Sequence, residues 1–332
     1  RSIRNFLFDI GILKSYSFDI PIIAVGNLSV GGTGKTPQIE YLIRLLSPNY
    51  KVATLSRGYK RKSKGFILAN STSNAEILGD EPFQFYKKFK NIQVAVDANR
   101  KNGIEKLLSQ TNKPEVILLD DAFQHRTVNA GLNILLTERK NLYSRDFFLP
   151  AGDLRDTRHS ASRAQIIIVT KCKDALSTQK RDLIINELRP NPNQAVFFTE
   201  IVYGKPYHLF SKENFTIIPG MDMLLVCGIA SPKPLKEYLT AIVSTYDMLR
   251  YPDHHIFSID DLHEIKNQFD KLKSSNKIIL TTEKDSVRLL KFENELKSNE
   301  QKNTGGRVAR VCVCVCLCVC VCVRERERED RE

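Results

Sequence analysis

Hydrophobic residues in the first 190 positions fall into short apolar runs separated by longer segments with helical spacing. The runs are rich in valine, isoleucine and leucine, and they predict buried strands at residues 21–28, 52–55, 93–96, 116–119, 132–136 and 165–170. Helical patterns lie between these runs, for example at 37–46. Because strands and helices alternate, the pattern predicts an α/β fold with a parallel sheet flanked by helices.

The second part of the chain repeats this alternation on a smaller scale. It predicts three strands at 223–229, 247–250 and 278–281, with helices at 234–243 and 261–272. We therefore expect a large domain, a strand that connects two domains, a smaller C-terminal α/β domain and a tail. The expected bounds of these parts are 1–194, 195–210, 211–303 and 304–332.

The tail has a two-residue period that differs from the rest of the chain. Residues 311–323 alternate valine and cysteine except at Leu317, and residues 324–329 alternate arginine and glutamate. Such periods are typical of translated dinucleotide repeats, and a metal-binding tract is the less favoured interpretation. We expect the tail to be a sequence artefact and to be disordered.

The N-terminal residues have the pattern of an amphipathic helix, with one apolar side formed by Ile3, Phe6, Leu7, Ile10 and Leu13. Such a helix could pack on the core or lie on a membrane, and packing on the core is the favoured prediction. No apolar run reaches the ~18 residues that a membrane-spanning helix needs, so we expect no transmembrane span.

Charge and cysteine content narrow the choice of partners and compartment. The formal net charge is +12, which favours anionic partners such as phosphorylated ligands, nucleic acid or an acidic membrane. No basic stripe with interleaved aromatic residues is found, so we expect no nucleic-acid partner. Six of the eight cysteines lie in the tail, and the other two, Cys172 and Cys227, are typical of a reduced intracellular protein.

A glycine-rich turn follows the first predicted strand and precedes a helix. Its residues are Ser29, Val30, Gly31, Gly32, Thr33, Gly34, Lys35 and Thr36, with serine where the strict phosphate-loop pattern has glycine. Glycines let backbone N–H groups surround phosphate oxygens, and the helix N-terminus favours negative charge. Lys35 would reach the outer phosphates of a nucleotide, and the Thr36 hydroxyl would bind Mg²⁺. We therefore predict a P-loop NTPase-type sheet.

Acidic and imidazole side chains supply further candidates. Asp120 and Asp121 end a buried strand, where a carboxylate can hold Mg²⁺ or its water shell. Asp80 stands at a predicted helix start, which is also typical of a helix cap. His254 and His255 are adjacent, so they cannot share one helix face as a metal pair, but one of them could be a general base or a phosphate ligand.

Seven motifs together resemble one family, the tetraacyldisaccharide 4'-kinases, which phosphorylate the lipid A precursor. The motifs lie in family order at residues 25–37, 56–59, 79–82, 120–126, 149–152, 252–255 and 281–285. The resemblance implies transfer of the ATP γ-phosphate to the 4'-hydroxyl of a tetraacyldisaccharide 1-phosphate. It places the active site in the cleft between the large and small domains.

The resemblance also implies roles for individual residues. His254 and Asp80 would form a catalytic pair in which the carboxylate orients the imidazole. Contacts with the substrate or the transferring phosphate would come from Arg57, Arg100, Arg126 and Arg155. The family's Arg-Glu pair after Leu-Pro-Ala-Gly corresponds here to Arg155 followed by aspartate, which keeps the charge with a shorter reach.

The partners implied by the resemblance are ATP, Mg²⁺ and an anionic glycolipid. It further implies a monomer bound peripherally to the cytoplasmic face of a bacterial inner membrane, although the family's extra N-terminal helix looks truncated here. The alternative function is a membrane-associated ATPase switch of the partition or septum-site type. Those ATPases carry a signature lysine before the double glycine, where this chain has Val30.

Overall fold

The structure is a computed structural model that describes residues 2–172, 176–218, 220–229, 231–243, 246–274, 276–302, 310–314 and 317–322. In this part of the chain the α-helices are α1 (Ser2–Asp9), α2 (Lys35–Leu46), α3 (Ala75–Leu78), α4 (Asp80–Lys88), α5 (Arg100–Leu108), α6 (Thr178–Leu188), α7 (Lys233–Ile242), α8 (Ile259–Lys271), α9 (Glu283–Leu289) and α10 (Glu293–Lys302). Short 3₁₀ helices span Arg158–Arg163 and Leu290–Phe292.

Two sheets contain all the named strands. The strands are β1 (Ile22–Asn27), β2 (Val52–Ser56), β3 (Ile67–Leu68), β4 (Gln93–Val96), β5 (Val116–Asp120), β6 (Leu132–Glu138), β7 (Ile166–Thr170), β8 (Ala195–Tyr203), β9 (Tyr207–His208), β10 (Asp222–Cys227), β11 (Asp247–Arg250), β12 (Lys277–Thr282), β13 (Arg310–Cys314) and β14 (Leu317–Cys322).

The large sheet has nine strands in the order β14-β8-β7-β6-β1-β5-β2-β4-β3. The strands from β8 to β4 are parallel, whereas β3 and β14 are antiparallel edge strands. β1 lies at the centre between β5 and β6, so its carboxyl end meets the end of β5. The predicted P-loop NTPase-type α/β sheet is confirmed.

Helices cover both faces of the large sheet. On one face Val25 and Leu118 pack with Ile39 and Ile43 of α2. On the other face Ile104 of α5 belongs to a second cluster of buried side chains. Parallel strands buried on both faces are apolar at nearly every position, which explains why the strands were visible as continuous apolar runs.

The small sheet has the order β11-β10-β12-β13-β9. On one face, Leu262, Ile265 and Phe269 of α8 pack in a cluster with residues of β10 and β12. On the other face, Leu235 and Leu239 of α7 pack with a second set from the same strands. The large sheet and its helices form the large unit, and the small sheet and its helices form the small unit. Helix α9 belongs to the small unit and contacts α4 of the large unit.

Two segments differ from the sequence-based expectation. β8 was expected to connect the domains, but it pairs with β7 and extends the large sheet. The tail was expected to be disordered, yet its residues 310–314 pair with β12 and residues 317–322 pair with β8. Alternating valines favour extended strands, and both partner strands offer a sheet edge. Residues 303–309, 315–316 and 323–332 lie outside the described residues.

Candidate active site

The glycine-rich turn lies between the end of β1 and the start of α2. Gly31 and Gly34 have φ values of +102° and +91°, a left-handed conformation that favours glycine. A Cβ built at Gly31 or Gly32 would have no heavy atom within 4 Å, so the space beside this part of the turn is open. The turn can therefore accept a phosphate group against its backbone N–H groups.

The first half of the turn is held by the loop that precedes the 3₁₀ helix Arg158–Arg163. The Ser29 hydroxyl donates to Asp146 Oδ2 at 3.2 Å, and the Val30 N–H donates to the Asp153 carbonyl at 2.7 Å. Serine in place of glycine thus gives the turn a side-chain anchor. The role of Asp146 was missed because no local motif marks it.

Lys35 lies at the start of α2 and faces the end of β5. Its Nζ atom is 3.3 Å from Asn27 Oδ1 and 3.5 Å from Asp121 Oδ1. Arg155 donates to both Asp121 oxygens, at 3.0 and 3.3 Å. Burial raises the pKa of Asp121, but the Lys35 charge and the Arg155 hydrogen bond outweigh it and hold the pKa at about 2.

Asp120 is 3% exposed and is more deeply buried than Asp121 and Asp80. Ser56 donates to Oδ2 at 3.3 Å, whereas the buried Oδ1 has no hydrogen-bond partner among the described residues. Burial, then repulsion from Glu81 and Asp121, raises the pKa of Asp120 to about 7. A buried carboxylate oxygen without a donor fits a divalent cation.

The protein ligands for such a cation are few. Within the described residues, no cluster of three or more histidine, cysteine, aspartate or glutamate side chains could hold a metal ion. A cation at Asp120 would therefore need further oxygens, from the half-buried Thr36 and from a bound phosphate, which is how Mg²⁺ is usually bound with nucleotides.

A second centre joins the two units. His254, in the loop after β11, has its Nδ1 atom 3.1 Å from Oδ2 of Asp80, the first residue of α4. Arg288 of α9 donates to the same oxygen at 2.8 Å and to Asp285 Oδ1 at 3.0 Å. Burial raises the pKa of Asp80, but the His254 hydrogen bond and the Arg288 charge lower it overall.

The adjacent histidines have different surroundings. His254 has a left-handed backbone, with φ of +62°, and its ring meets the exposed Tyr59 ring edge-on at 5.2 Å. His255 instead contacts Asp261 Oδ2 at 2.9 Å, and this carboxylate belongs to the capping box of α8. The geometry therefore pairs His254, and not His255, with Asp80.

Two of the four candidate arginines are placed at or near the site. Arg155 contacts Asp121 beside Lys35, as described above. Arg57 is exposed directly after β2, in the loop that leads to Tyr59. Its side chain is therefore accessible to a ligand on this edge of the sheet.

The other two candidate arginines have partners within the protein. Arg100 is 2% exposed and donates to backbone carbonyl groups at the ends of β4 and β5, including that of Asp120 at 3.1 Å. Arg126 donates to Asp9 Oδ1 at 2.6 Å and to the Asn5 carbonyl at 2.8 Å. Arg100 thus fixes strand ends and Arg126 fixes α1, and their roles as ligand contacts stay predictions.

Sequence reasoning did not assign a role to α9. This helix carries Lys284, Asp285 and Arg288, which all lie at the His254–Asp80 pair or one contact away. The signal was present as two cations four residues apart directly after the predicted strand 278–281, because residues with this spacing share one face if the segment is a helix.

Taken together, a phosphate-binding turn with Lys35, carboxylates at the end of β5 and a histidine–aspartate pair define a P-loop phosphotransferase. A family model described as "Tetraacyldisaccharide-1-P 4'-kinase" matches residues 1–319. The chain is 59% identical over 293 residues to the tetraacyldisaccharide 4'-kinase of Flavobacterium johnsoniae, covering 87% of this chain and 83% of that protein. The chain belongs to the tetraacyldisaccharide 4'-kinase family.

Solved structures agree with this assignment. A crystal structure of LpxK from Aquifex aeolicus in complex with ATP superposes with a TM-score of 0.71 and 29% identity, covering 96% of this chain and 90% of that one. A putative plasmid partition protein from Borrelia burgdorferi gives a TM-score of only 0.33 over 54% of this chain, which carries no support for the partition-ATPase alternative. The chain is an ATP-dependent kinase of the lipid A pathway with a glycolipid substrate.

Proposed function

We propose that the two centres divide the reaction between nucleotide binding and proton transfer. The observation that carries this proposal is the 3.1 Å contact between His254 Nδ1 and Asp80 Oδ2. It joins a loop of the small unit to the first turn of α4 in the large unit, and it supplies the general base of this proposal.

In this proposal the residues 29–36 hold the phosphates of ATP. Lys35 neutralises the charge of the outer phosphates, and Asp120, Asp121 and Thr36 hold Mg²⁺. When bound, the ion would offset the negative charge on the transferring phosphoryl group. The orphaned Asp120 Oδ1 and the open space at Gly31 support these assignments.

The acceptor hydroxyl needs a base because a sugar alcohol is a poor nucleophile near neutral pH. The 4'-oxygen forms a bond to the γ-phosphorus while the bond from that phosphorus to the bridging oxygen of ADP breaks. The proton of the hydroxyl passes to the imidazole of His254, and the Asp80 carboxylate stabilises the resulting charge. Because these two residues lie on different units, the site would be complete only when the units are together, which limits hydrolysis of ATP by water.

We also propose peripheral binding to the cytoplasmic face of the bacterial inner membrane, as a monomer. Among the described residues, no helix is both long and apolar enough to span a bilayer. Support for surface binding comes from apolar side chains that are about half exposed or more, on or next to α1 and in a second loop: Phe6, Ile10, Ile12, Phe147, Phe148 and Leu149. The positive net charge suits an anionic lipid surface.

The test is incubation with labelled ATP and a tetraacyldisaccharide 1-phosphate acceptor, followed by chromatography of the lipid fraction. Lys35→Ala should lower turnover at least ~100-fold, because a charge that stabilises the transferring phosphate is worth this much.

His254→Ala should reduce kcat while the affinity for ATP, measured by calorimetry, stays the same.

A surface lysine supplies the matched control. Lys266→Ala removes an exposed ion pair with Asp270 on α8 and should leave turnover unchanged. If Lys35→Ala kept full turnover, the glycine-rich turn would have no role in the mechanism. Loss of ATP affinity in His254→Ala would make His254 a nucleotide contact instead of a base.

A further inference from the structure

Both ring nitrogens of His254 have polar neighbours. Nδ1 is 3.1 Å from Asp80 Oδ2, and Nε2 is 3.1 Å from the Nζ atom of Lys284 and 3.8 Å from Asp253 Oδ2, which is too long for a hydrogen bond. Asp80 belongs to the large unit, and Lys284 is the second residue of α9. Whether each ring nitrogen carries a proton follows from what its neighbour can donate or accept.

Lys284 can only donate, because an ammonium group has three N–H bonds and no lone pair. A contact at 3.1 Å therefore requires an unprotonated Nε2, which accepts the hydrogen bond. The imidazole proton then lies on Nδ1, which donates to the carboxylate of Asp80. An imidazolium, with hydrogens on both nitrogens, would direct an N–H group at the ammonium.

Arg288 makes one contact that requires the opposite tautomer. Its terminal nitrogen is 3.4 Å from His254 Nδ1, and a guanidinium is also only a donor. This contact is longer than the 3.1 Å contact with Asp80, and Arg288 is already committed to Asp80 at 2.8 Å and Asp285 at 3.0 Å. The shorter contacts decide the tautomer, with the proton on Nδ1.

Lys284 is held in place independently of the imidazole. Its Nζ atom donates to Asp253 Oδ1 at 3.1 Å, and its side chain is 23% exposed. If another group took over Nε2, the ammonium would keep its carboxylate partner and could turn toward solvent or an anion. Arg288, one turn later on α9, is only 5% exposed and lacks this freedom.

We propose that Lys284 is a positioning residue for the phosphoryl transfer, fixing the His254 tautomer with the lone pair on Nε2 and yielding that atom to the acceptor hydroxyl. The proposal rests on the proposed role of His254 as the base. In the free enzyme Lys284 donates a hydrogen bond to Nε2 of His254. In the complex with ATP and the glycolipid, the acceptor hydroxyl replaces Lys284 as the donor to this nitrogen.

The experiment combines ¹⁵N NMR of the histidine rings with steady-state kinetics of the full chain. The His254 resonances are identified by their loss in His254→Ala. In the wild type Nδ1 should show protonated character and Nε2 unprotonated character. Lys284→Met should move both nitrogens toward the average of the two tautomers, because only the Asp80 contact then opposes the Arg288 contact with Nδ1. It should lower kcat about tenfold, less than the ~100-fold or more that loss of a general base costs, because His254 is retained. The KM for ATP should not change.

Lys284→Arg is the conservative variant, because a guanidinium also only donates; it should keep the tautomer and recover most of kcat. Lys266→Met controls for loss of a surface lysine. An unchanged His254 tautomer in Lys284→Met, or an unchanged kcat, would overturn this proposal. Full activity of His254→Ala would instead overturn the proposed base, which separates the two failures.

Discussion

Asp80 illustrates how single residues are tuned at this site. Burial alone would favour the neutral carboxylic acid, but hydrogen bonds from His254 and Arg288 favour the carboxylate, and the pKa of Asp80 is lowered overall. A carboxylate whose pKa is lower in the folded chain than in the unfolded chain stabilises the fold when it is ionised. This contribution is fully present above the unfolded pKa of about 3.9 and is lost as the pH falls through the lower folded value.

Asp80→Asn should therefore reduce the acid sensitivity of the fold. Unfolding by urea, followed by circular dichroism at pH 6 and in steps below pH 4, gives the difference in unfolding free energy between wild type and variant. We expect the wild type to lose more stability than Asp80→Asn over the acid steps, because only the wild type takes up a proton at this position on unfolding. Parallel pH curves for the two proteins would contradict the assigned pKa direction.

The residues that sequence could identify are those with local signals. Lys35 and Thr36 follow from a turn between a strand and a helix, and Asp120 follows from an apolar strand that ends in acid. For Arg100 the family resemblance implied a ligand contact, which stays a prediction, and no local signal showed that its guanidinium binds backbone carbonyl groups in the core. The choice of His254 over His255 depends on a contact with Asp80, 174 residues away, which no local pattern contains.

At the level of elements, the glycine-rich turn at residues 29–36, the nucleotide turn, depends on a second loop for its shape. This loop, residues 146–155, binds the turn through Asp146 and Asp153. Gly152 makes the loop possible, because a Cβ at this position would lie 2.5 Å from Asp146 Oδ1 and 2.5 Å from the Phe147 carbonyl oxygen. Any side chain there must displace the carboxylate that anchors Ser29.

Gly152→Ala should therefore loosen the turn. We expect the KM for ATP to rise several-fold and the unfolding free energy to fall by about 1–3 kcal/mol, the usual cost of overpacking. Gly131→Ala is the matched control, since its Cβ would meet only the Ile22 carbonyl oxygen at 3.8 Å. Equal effects of the two substitutions would show that the loop does not shape the turn.

Elements with a strong local pattern were predicted from the sequence, whereas elements whose place depends on strand pairing were not. The strands beside β1 were visible because burial on both faces leaves continuous apolar runs. The strand β8 was assigned to a connector because its apolar pattern does not reveal that its partner is β7. The tail strands were not predicted because a two-residue repeat indicates a translated dinucleotide repeat, whereas alternating valines also favour strands that pair with an open sheet edge.

At the scale of the whole molecule, a buried charge network connects the nucleotide turn to α9. Lys88 of α4 donates to Glu40 of α2 at 2.7 Å and to Glu283 of α9 at 2.8 Å. Gln84 contacts both carboxylates as well, at 2.9 and 3.4 Å. The same α2 begins at the nucleotide turn, and the same α9 carries Lys284, so this network is one physical link between the two centres.

Lys88→Met should weaken that link. Glu40 and Glu283 are only 1% and 8% exposed, so removing the ammonium they share leaves two carboxylates close together in a poorly solvated place. We expect the unfolding free energy to fall by about 3 kcal/mol, which is typical when one partner of a buried ion pair is removed. We also expect kcat to fall, because α9 then holds the His254–Asp80 pair less firmly.

The neighbouring Lys87 gives the matched control, because its side chain is exposed and its ammonium lies over the Phe83 ring at 5.3 Å. Lys87→Met should change the unfolding free energy by no more than about 0.5 kcal/mol in urea titrations of both variants. A Lys88→Met protein as stable and active as Lys87→Met would show that the Lys88 ion pairs do not hold the two units together.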